Sequence, residues 1–204
     1  MENFEKNVFI NCPFDEDYNP LLKVLFFTIT KIGLNVRIAL ERNNSGEVRL
    51  TKIKEILEES KYSIHDLSRA RSTSEDEYSR LNMPFELGLD FGCKEYHPDE
   101  IYRNKIFLIL EQEKYSIQRA LSDMAGADCL CHKGEAEELV TVVRNWFSEN
   151  GIIKLPSASK IWDEYNEFYG KLYVDLIAEH FKPKEINNLP INEFLRYVKE
   201  RISK

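Results

Sequence analysis

Two acidic residues, Asp66 and Glu86, stand where the surrounding pattern predicts the edge of a binding pocket. Asp66 lies at the end of the short segment SIHDL at residues 63–67, and Glu86 lies in the helix-like stretch NMPFELGLDFG at residues 82–92. Paired carboxylates are the groups that cleave glycosidic bonds: one stands beside the anomeric carbon, and the other handles protons or sugar hydroxyls. The two residues therefore predict glycosidic chemistry, provided that the fold brings them to one pocket.

The helix start around Glu86 also has an ordinary interpretation. With Pro84 at the first helical position and Met83 as the N-cap, Glu86 would be the third helical residue, where a carboxylate is favoured by the helix dipole. Met83 has no side-chain oxygen, so a reciprocal capping box is missing. Gly88 and Gly92 each cost roughly 1 kcal/mol against alanine inside a helix. We expect these glycines to allow close approach to another backbone or to a ligand.

Polar side chains flank both acids in the sequence. Arg69, Arg71 and Arg80 can each meet a phosphate with two hydrogen bonds, although an arginine in a polar loop more often faces solvent. Asn82 is a further candidate for holding a sugar phosphate. Asp66 has its own ordinary alternative, a solvated or N-capping side chain.

A third group of candidates follows the first predicted strand, VFINC at residues 8–12. Pro13, Phe14 and Asp15 come directly after it, and an aromatic ring at the carboxyl end of a strand can stack on a nucleobase or lie in the core. The sequence contains neither a GxGxxG pattern nor a P-loop, so a classical dinucleotide or ATP site is not predicted.

The elements that must position these residues alternate along the chain. Apolar segments predict strands at residues 8–12, 36–40, 63–67, 105–110 and 128–131, with helices between them. This alternation indicates an α/β fold: a five-stranded parallel sheet in a flavodoxin- or Rossmann-like three-layer sandwich, with a C-terminal helical extension. Ligands bind such sheets beyond the carboxyl ends of the strands. Residues 13–18, 42–47, 66–82 with Glu86, and 111–115 are predicted to lie there.

Beyond Pro156 the pattern changes to amphipathic helices. Ser157 or Ser159 can cap a long helix that ends near Pro183, and a last helix is predicted at residues 191–202. We therefore divide the chain into an α/β domain at residues 1–155 and a helical extension at 156–204. Aromatic stripes on these helices indicate docking to the domain or to a second subunit, so we expect a homo-oligomer or a regulatory partner bound through residues 157–204.

The composition of the 204-residue chain argues against several classes of protein. A net charge of −7 argues against binding to a nucleic-acid backbone, which needs basic patches. No apolar run approaches the ~20 residues that span a bilayer, and the first residues lead directly into a strand, so a cytoplasmic protein without a membrane segment is predicted. The four cysteines lack metal-ligand spacing, which predicts free thiols and no metal.

Three motifs in this order resemble a known family. The segment VFINCPF, an acid ending the third strand, and FELG at a helix start are similar to the nucleoside 2-deoxyribosyltransferase-like proteins, and to TIR-type NAD-cleaving domains and bacterial defence effectors related to them. The resemblance covers about residues 7–150. It places CPF at 12–14 in the family's G-P-F-like turn and ELG at 86–88 around its nucleophilic glutamate. It thus implies that Glu86 is the nucleophile and Asp66 the acid of strand three.

The sequence departs from the transferases just before this glutamate. They usually carry an Asp-x-Gly approach, whereas this chain has Arg80 followed by LNMP. An arginine there fits a phosphorylated substrate, such as a nucleoside monophosphate or NAD, better than exchange between bases. The resemblance therefore implies an N-glycosidase that takes a nucleotide or NAD as its substrate and needs no other cofactor. In this reading Glu86 and Asp66 are catalytic, and residues that bind the substrate are Pro13, Phe14, Asp15, Arg69, Arg80, Asn82 and Gly88.

Two alternatives remain open. One is a non-catalytic nucleotide sensor on the same sheet, which signals through its C-terminal helices. The other is a receiver-like phosphoacceptor built on Asp66 and Lys133. Against the receiver, the first strand is followed by Cys12 and Pro13 rather than by an acidic pair, and the fourth strand is not followed by serine or threonine.

Overall fold

The computed structural model describes residues 3–69, 81–124 and 126–203. Arg71 and Arg80, two of the predicted phosphate ligands, lie outside the described residues. The strands are β1 (Asn7–Asn11), β2 (Asn35–Arg37), β3 (Tyr62–Asp66), β4 (Ile106–Glu111) and β5 (Cys129–Cys131). The α-helices are α1 (Asn19–Lys31), α2 (Arg49–Glu58), α3 (Asn82–Tyr96), α4 (Ser116–Ala120), α5 (Ala136–Glu149), α6 (Ala158–Ala178), α7 (Pro183–Asn187) and α8 (Ile191–Ile202).

All five strands pair in parallel, in the order β2-β1-β3-β4-β5. The central strands β1 and β3 are buried along their whole length, although both carry polar residues among their apolar ones. The predicted α/β class with a five-stranded parallel sheet and C-terminal helices is confirmed. The chain leaves β1 toward β2 and returns to β3 on the other side, so the switch in strand order lies between β1 and β3.

The contacts of the chain divide it into two units. The first comprises Met1–Pro13 and Asn35–Lys133, and holds the sheet with α2, α3 and α4. The second comprises Phe14–Leu34 and Gly134–Lys204, and holds α1 with α5 to α8. The helices beyond Pro156 thus share a unit with α1 and α5, while the division into domains at residue 155 stays a prediction.

Two apolar clusters hold the helices of the first unit in place. In one, α2 contributes Ile53, Ile56 and Leu57, which pack with Phe9 of β1. In the other, α3 contributes Met83 and Leu87; the remaining buried members are Leu67, Ile109 and Ile117. Because Met83 and Leu87 are packed in this cluster, the rotation of α3 about its axis is fixed, and with it the direction of Glu86 between them.

Aromatic packing dominates the second unit. Phe27 of α1 stacks on Phe168 of α6 with ring centroids 5.4 Å apart, and it meets the edge of Tyr165 at 5.5 Å. Phe168 in turn contacts Phe194 of α8 at 6.0 Å. The stripes of α6 and α8 therefore pack inside this unit, as the periodicity of their apolar residues predicts.

The start of α3 differs from the predicted one. The helix begins at Asn82 with Leu81 as its N-cap, so Pro84 is the third helical residue and Glu86 the fifth. The prediction of Met83 as N-cap is wrong, and with it the interpretation of Glu86 as a third-position cap. Pro84 tolerates this placement because the N–H groups of the first turn have no partner within a helix.

The N-cap of α6 offers a test of this local structure. Ser157 is the N-cap, and its side-chain oxygen accepts a hydrogen bond from the backbone N–H of Lys160 at 3.2 Å. We expect Ser157→Ala to lower the free energy of unfolding by about 0.5–2 kcal/mol, the range for a lost cap. Ser159→Ala, two residues inside the same helix, is the matched control and leaves stability equal or slightly higher. Equal losses for both variants in urea titrations would contradict the assignment.

Candidate functional site

Glu86 is a buried acid with little compensation for its charge. It is 6% exposed, and its Oε1 lies 3.6 Å from Nη2 of Arg49, the first residue of α2. The side chain of Arg49 is 51% exposed, so water weakens its attraction. Burial raises the pKa of Glu86, and the Arg49 charge offsets this only in part. The structure thus holds a carboxylate in an environment that penalises its charged form.

The buried face of α3 explains how Glu86 comes to be inside. The buried residues of this helix are Met83, Glu86, Leu87 and Asp90, whose spacing of three, one and three forms a single helical stripe. Two of these four core-facing positions carry acids instead of apolar residues. Acids are almost never buried without a partner, so each requires a structural or a functional explanation.

Asp90 has a structural explanation. Its Oδ2 lies 3.1 Å from Nε2 of His65, and its Oδ1 lies 3.0 Å from Nζ of Lys105, with all three side chains fully buried. Burial opposes ionisation of Asp90, but the His65 hydrogen bond and the Lys105 charge outweigh it and lower the pKa of this acid. Lys105 also donates to the backbone oxygens of Leu57 and Ser60. Asp90 is therefore a paired structural acid, unlike Glu86.

A hydrogen-bonded chain extends from Asp90 to the carboxyl end of β1. The Asn11 amide nitrogen lies 2.8 Å from the backbone oxygen of Met83 and 3.0 Å from Nδ1 of His65. Because a carbonyl oxygen only accepts, the amide nitrogen is oriented as a donor to both, and Nε2–H of His65 donates to Asp90. This buried chain, Asn11–His65–Asp90–Lys105, fastens the first turn of α3 at the carboxyl end of β1. Glu86 follows in the next turn, beside the switch point of the sheet.

Asp66, the last residue of β3, is fully buried in a second polar cluster. Its Oδ1 accepts from the backbone N–H of Ser68 at 2.9 Å and from the Ser68 hydroxyl, and its Oδ2 lies 3.0 Å from Nε2 of His132. The Ser68 hydroxyl oxygen also lies 3.0 Å from that nitrogen. In a hydrolytic triad the acid and the serine use different nitrogens of the histidine. Here they share one, so this cluster orients Asp66 and is not arranged for attack by serine.

The other predicted residues of the first unit have simpler surroundings. Pro13 is buried, Arg69 is half-buried next to Ser68, and Asn82 is exposed at the first position of α3. Gly88 is exposed too, and a Cβ built on Gly88 would meet no atom within 4 Å among the described residues. The structure thus gives no internal packing reason for this glycine, and its predicted approach to a ligand stays a prediction.

Phe14 and Asp15 belong to the second unit. Phe14 is half-buried, and Asp15 Oδ1 accepts from the backbone N–H of Tyr18 at 3.0 Å, directly before α1. This bond gives Asp15 a local structural role at the start of that helix. Stacking of Phe14 on a base stays a prediction from the sequence.

Several residues of these clusters escaped the sequence analysis. His65, Asp90 and Lys105 each interrupt or border an apolar run, and this was the signal that could have marked them as buried polar partners. Asn11 lies inside the motif VFINC, whose pattern predicts a strand but no polar contact. Arg49 carries no such signal, because only the tertiary structure brings α2 to Glu86.

Exposed apolar side chains lie close to Arg49 and Glu86 in the sequence. Phe85, which precedes Glu86, is 56% exposed, and Leu81, the N-cap of α3, is 65% exposed. Val48 and Leu50 flank Arg49 at the start of α2, and both are exposed. Large exposed apolar side chains near a buried acid are typical of a ligand site, where they cover the apolar part of the ligand.

Metal-binding groups and membrane-spanning helices are both absent from the described part of the chain. No group of three or more His, Cys, Asp or Glu side chains there could hold a metal ion, and none of the helices there combines the length and apolarity that crossing a bilayer needs. None of the four cysteines forms a disulfide bond; Cys12 is buried and the other three are half-buried.

Two comparisons with known proteins find no relative of this chain. No protein-family model matches the chain, and a search of curated proteins finds no significant match. The resemblance to the nucleoside 2-deoxyribosyltransferase-like proteins therefore depends on the motifs themselves, and the activity it implies is a proposal.

The pairing of Asp90 predicts the effect of removing Lys105. Lys105→Met leaves a buried carboxylate with only His65 as its partner, so we expect the free energy of unfolding to fall by about 3–5 kcal/mol. Lys54→Met, on the exposed side of α2, is the control and changes stability by less than about 0.5 kcal/mol. Chemical denaturation measures both, and a loss below about 1 kcal/mol for Lys105→Met would show that the pair is not required.

The raised pKa of Glu86 predicts a pH-dependent gain in stability for Glu86→Gln. Folding raises the pKa of this acid above its unfolded value of 4.5, so the ionised group destabilises the fold at neutral pH, whereas the protonated group does not. Glu86→Gln should therefore be more stable than wild type at pH 7; the difference should shrink as pH falls from the raised pKa of folded Glu86 toward 4.5, and it should be absent below 4.5. Thermal unfolding across this range measures it; Glu95→Gln, exposed on the same helix, should show no such trend.

Proposed function

We propose that this protein is an N-glycosidase that cleaves the bond between ribose C1′ and the base of a nucleotide or of NAD. The observation that carries the proposal is the Glu86 carboxylate: buried, weakly paired with Arg49, and placed by α3 beside the switch point of a parallel sheet. Asp90, a buried acid in the same helix, is paired with His65 and Lys105. Burial in this helix therefore does not by itself account for the weak pairing of Glu86.

In this proposal Glu86 acts in its ionised form at C1′. As the C1′–N bond breaks, its electron pair leaves with the base, and the ribose gains positive charge that the carboxylate stabilises or captures as an ester. Water then supplies a hydroxyl group to C1′, and the base takes up a proton. A carboxylate that has already lost its water shell interacts more strongly with this growing charge than a solvated one.

The neighbours of Glu86 support two further roles. Arg49 favours the ionised form of Glu86 and so offsets part of the effect of burial, and with half of its side chain exposed it is also available to a substrate phosphate. Arg69 and Asn82 are the described candidates for the remaining phosphate contacts, alongside the predicted Arg80. The exposed ring of Phe85 offers a stacking surface for the base next to Glu86.

Asp66 contributes indirectly to the proposed reaction, through the side chains that it contacts. Its carboxylate already binds Ser68 and His132, so we assign it to orienting the half-buried Ser68 toward the ribose hydroxyls. His132 is fully buried and its Nε2 faces both Asp66 and Ser68, so we assign His132 to holding this cluster in place and not to proton donation.

The broader expectations from the resemblance belong to the same proposal. They are a cytoplasmic role in bacterial defence, assembly as a homo-oligomer, and control by a partner through residues 157–204. A chain that consumed NAD without restraint would damage its own cell, which is the reason to expect such control.

A second candidate function is a nucleotide sensor that binds without turnover. The hydrogen bonds of Asp66 favour it, because glycosidases use two carboxylates and, of the two acids predicted to act, Asp66 is already bound to Ser68 and His132. Calorimetry with chemical analysis of the recovered nucleotide separates the two: a sensor returns its ligand intact.

The enzymatic proposal predicts the effect of one substitution. Incubated with NAD or nucleoside monophosphates, the wild-type protein should release free base, detected by chromatography. Glu86→Gln should lower the rate by about 100-fold or more, because it removes the charge that meets the transition state. Glu95→Gln makes the same change at an exposed position of α3 and should keep full activity.

Equal rates for wild type and Glu86→Gln would overturn the role of this residue. Absence of released base with every nucleotide tested, while the ligands still bind, would replace the enzyme with the sensor.

A further inference from the structure

The second unit contains a cleft of its own, with a volume of about 620 Å³. Lys23 of α1, Tyr165 and Tyr169 of α6, and Lys184 of α7 line it, together with Glu16 and Asn187. This volume lies in the range of natural small-molecule sites, about 300–1,000 Å³. None of the residues to which the glycosidase chemistry is assigned above lines this cleft.

Lys23 is a cation without a counter-charge in this cleft. It is 6% exposed, and its Nζ donates to neutral oxygens only: the Tyr169 hydroxyl at 3.1 Å and the backbone oxygens of Ile186 and Asn187 at 3.2 and 2.9 Å. Among the described residues, none offers it a carboxylate within ion-pair distance. Burial lowers the pKa of Lys23 to about 8, which shows that its charge is poorly compensated.

A structural role explains part of this arrangement. Ile186 and Asn187 end α7, so the Lys23 ammonium satisfies carbonyl groups at a helix C-terminus. Hydrogen bonds to carbonyls could equally come from a neutral donor, however, and they leave a net positive charge beside an open cleft. A buried charge of this kind attracts an anion that enters the cleft.

The same wall of the cleft carries flat aromatic surface. The rings of Tyr165 and Tyr169 stack with centroids 5.9 Å apart and planes 16° apart, and Lys23 Nζ lies 5.0 Å from the centroid of Tyr169. Tyr169 accepts a hydrogen bond from Lys23, and its own hydroxyl donates to Asn187 Oδ1 across 3.4 Å, a long bond that a stronger acceptor can replace. A ring that stacks on Tyr169 would thus bring its substituent close to both polar groups.

We propose that this cleft binds a small aromatic anion, with its ring against Tyr169 and its phosphate or carboxylate bound by Lys184. The three N–H groups of Lys23 are already used, so Lys23 contributes its positive charge and not a further hydrogen bond. Glu16 also lines the cleft, but it is exposed and accepts from the Asn188 side chain at 3.4 Å. Two lysines against one solvated glutamate leave the lining net positive. The polar lining from Asn187 suits the heteroatoms of a ring.

Phenyl phosphate is the probe that tests this site, because it has ring and anion but no ribose and therefore does not depend on the proposed glycosidase activity. Phenol supplies the ring without the phosphate, and inorganic phosphate supplies the anion without the ring, so both serve as controls. We expect phenyl phosphate to shift the amide resonances of α1, α6 and α7 in ¹H–¹⁵N spectra. It should bind at least 10-fold more tightly than either half alone.

Substitutions locate the binding. Lys23→Met should weaken phenyl phosphate at least 10-fold, whereas Lys171→Met, the same change at an exposed position of α6, should have no effect. Lys184→Met is exposed and cannot disturb the core, so it serves as the second variant if Lys23→Met fails to fold, with an expected weakening of about 3-fold.

Two results would overturn the proposal: no shift in wild type at 10 mM phenyl phosphate, or binding that is unchanged in both Lys23→Met and Lys184→Met. The second would show that Lys23 serves only to hold the end of α7. Glu86→Gln should bind the probe like wild type, so failure here and failure of the glycosidase are separate outcomes.

Discussion

The buried chain Asn11–His65–Asp90–Lys105 is the interaction on which the first unit depends. Within this chain, each side-chain contact lies between 2.8 and 3.1 Å, and together they join β1, β3, α3 and the residue before β4. Buried polar groups need hydrogen-bond or ion-pair partners to offset their lost hydration, so these side chains stabilise the fold only when they are placed together. This requirement sets the position of α3 more narrowly than apolar packing alone.

The position of α3 decides what Glu86 can do. Asp90 and Glu86 lie on one buried stripe, four residues apart, yet their surroundings shift their pKa values in opposite directions. Asp90 gains a histidine and a lysine, which stabilise its charge. Glu86 gains only a half-exposed arginine. Asp90 therefore stabilises the fold, whereas ionised Glu86 reduces its stability. Destabilising buried charges of this second kind are typical of functional sites.

The second unit repeats this contrast with the opposite charge. Lys105 in the first unit is a buried cation paired with an acid, whereas Lys23 in the second is a buried cation bound only to neutral oxygens. Both satisfy backbone carbonyls through their ammonium groups. The difference in charge compensation is what makes Lys105 structural and Lys23 a candidate for binding.

The sequence by itself determined the class of the fold and the order of its elements, because helix and strand periodicities are local. It identified α8 at its observed bounds and two acids that the structure buries. It placed α3 two residues late, since Pro84 is also tolerated within the first turn.

Only the tertiary structure decided which side chains contact the buried acids. Arg49 meets Glu86, and His132 meets Asp66 across 66 positions of the chain. Such pairings follow from strand order and register, which apolar patterning does not encode. The physical reason is that a side chain's charge state depends on which distant groups surround it, while its secondary structure depends mainly on its neighbours along the chain.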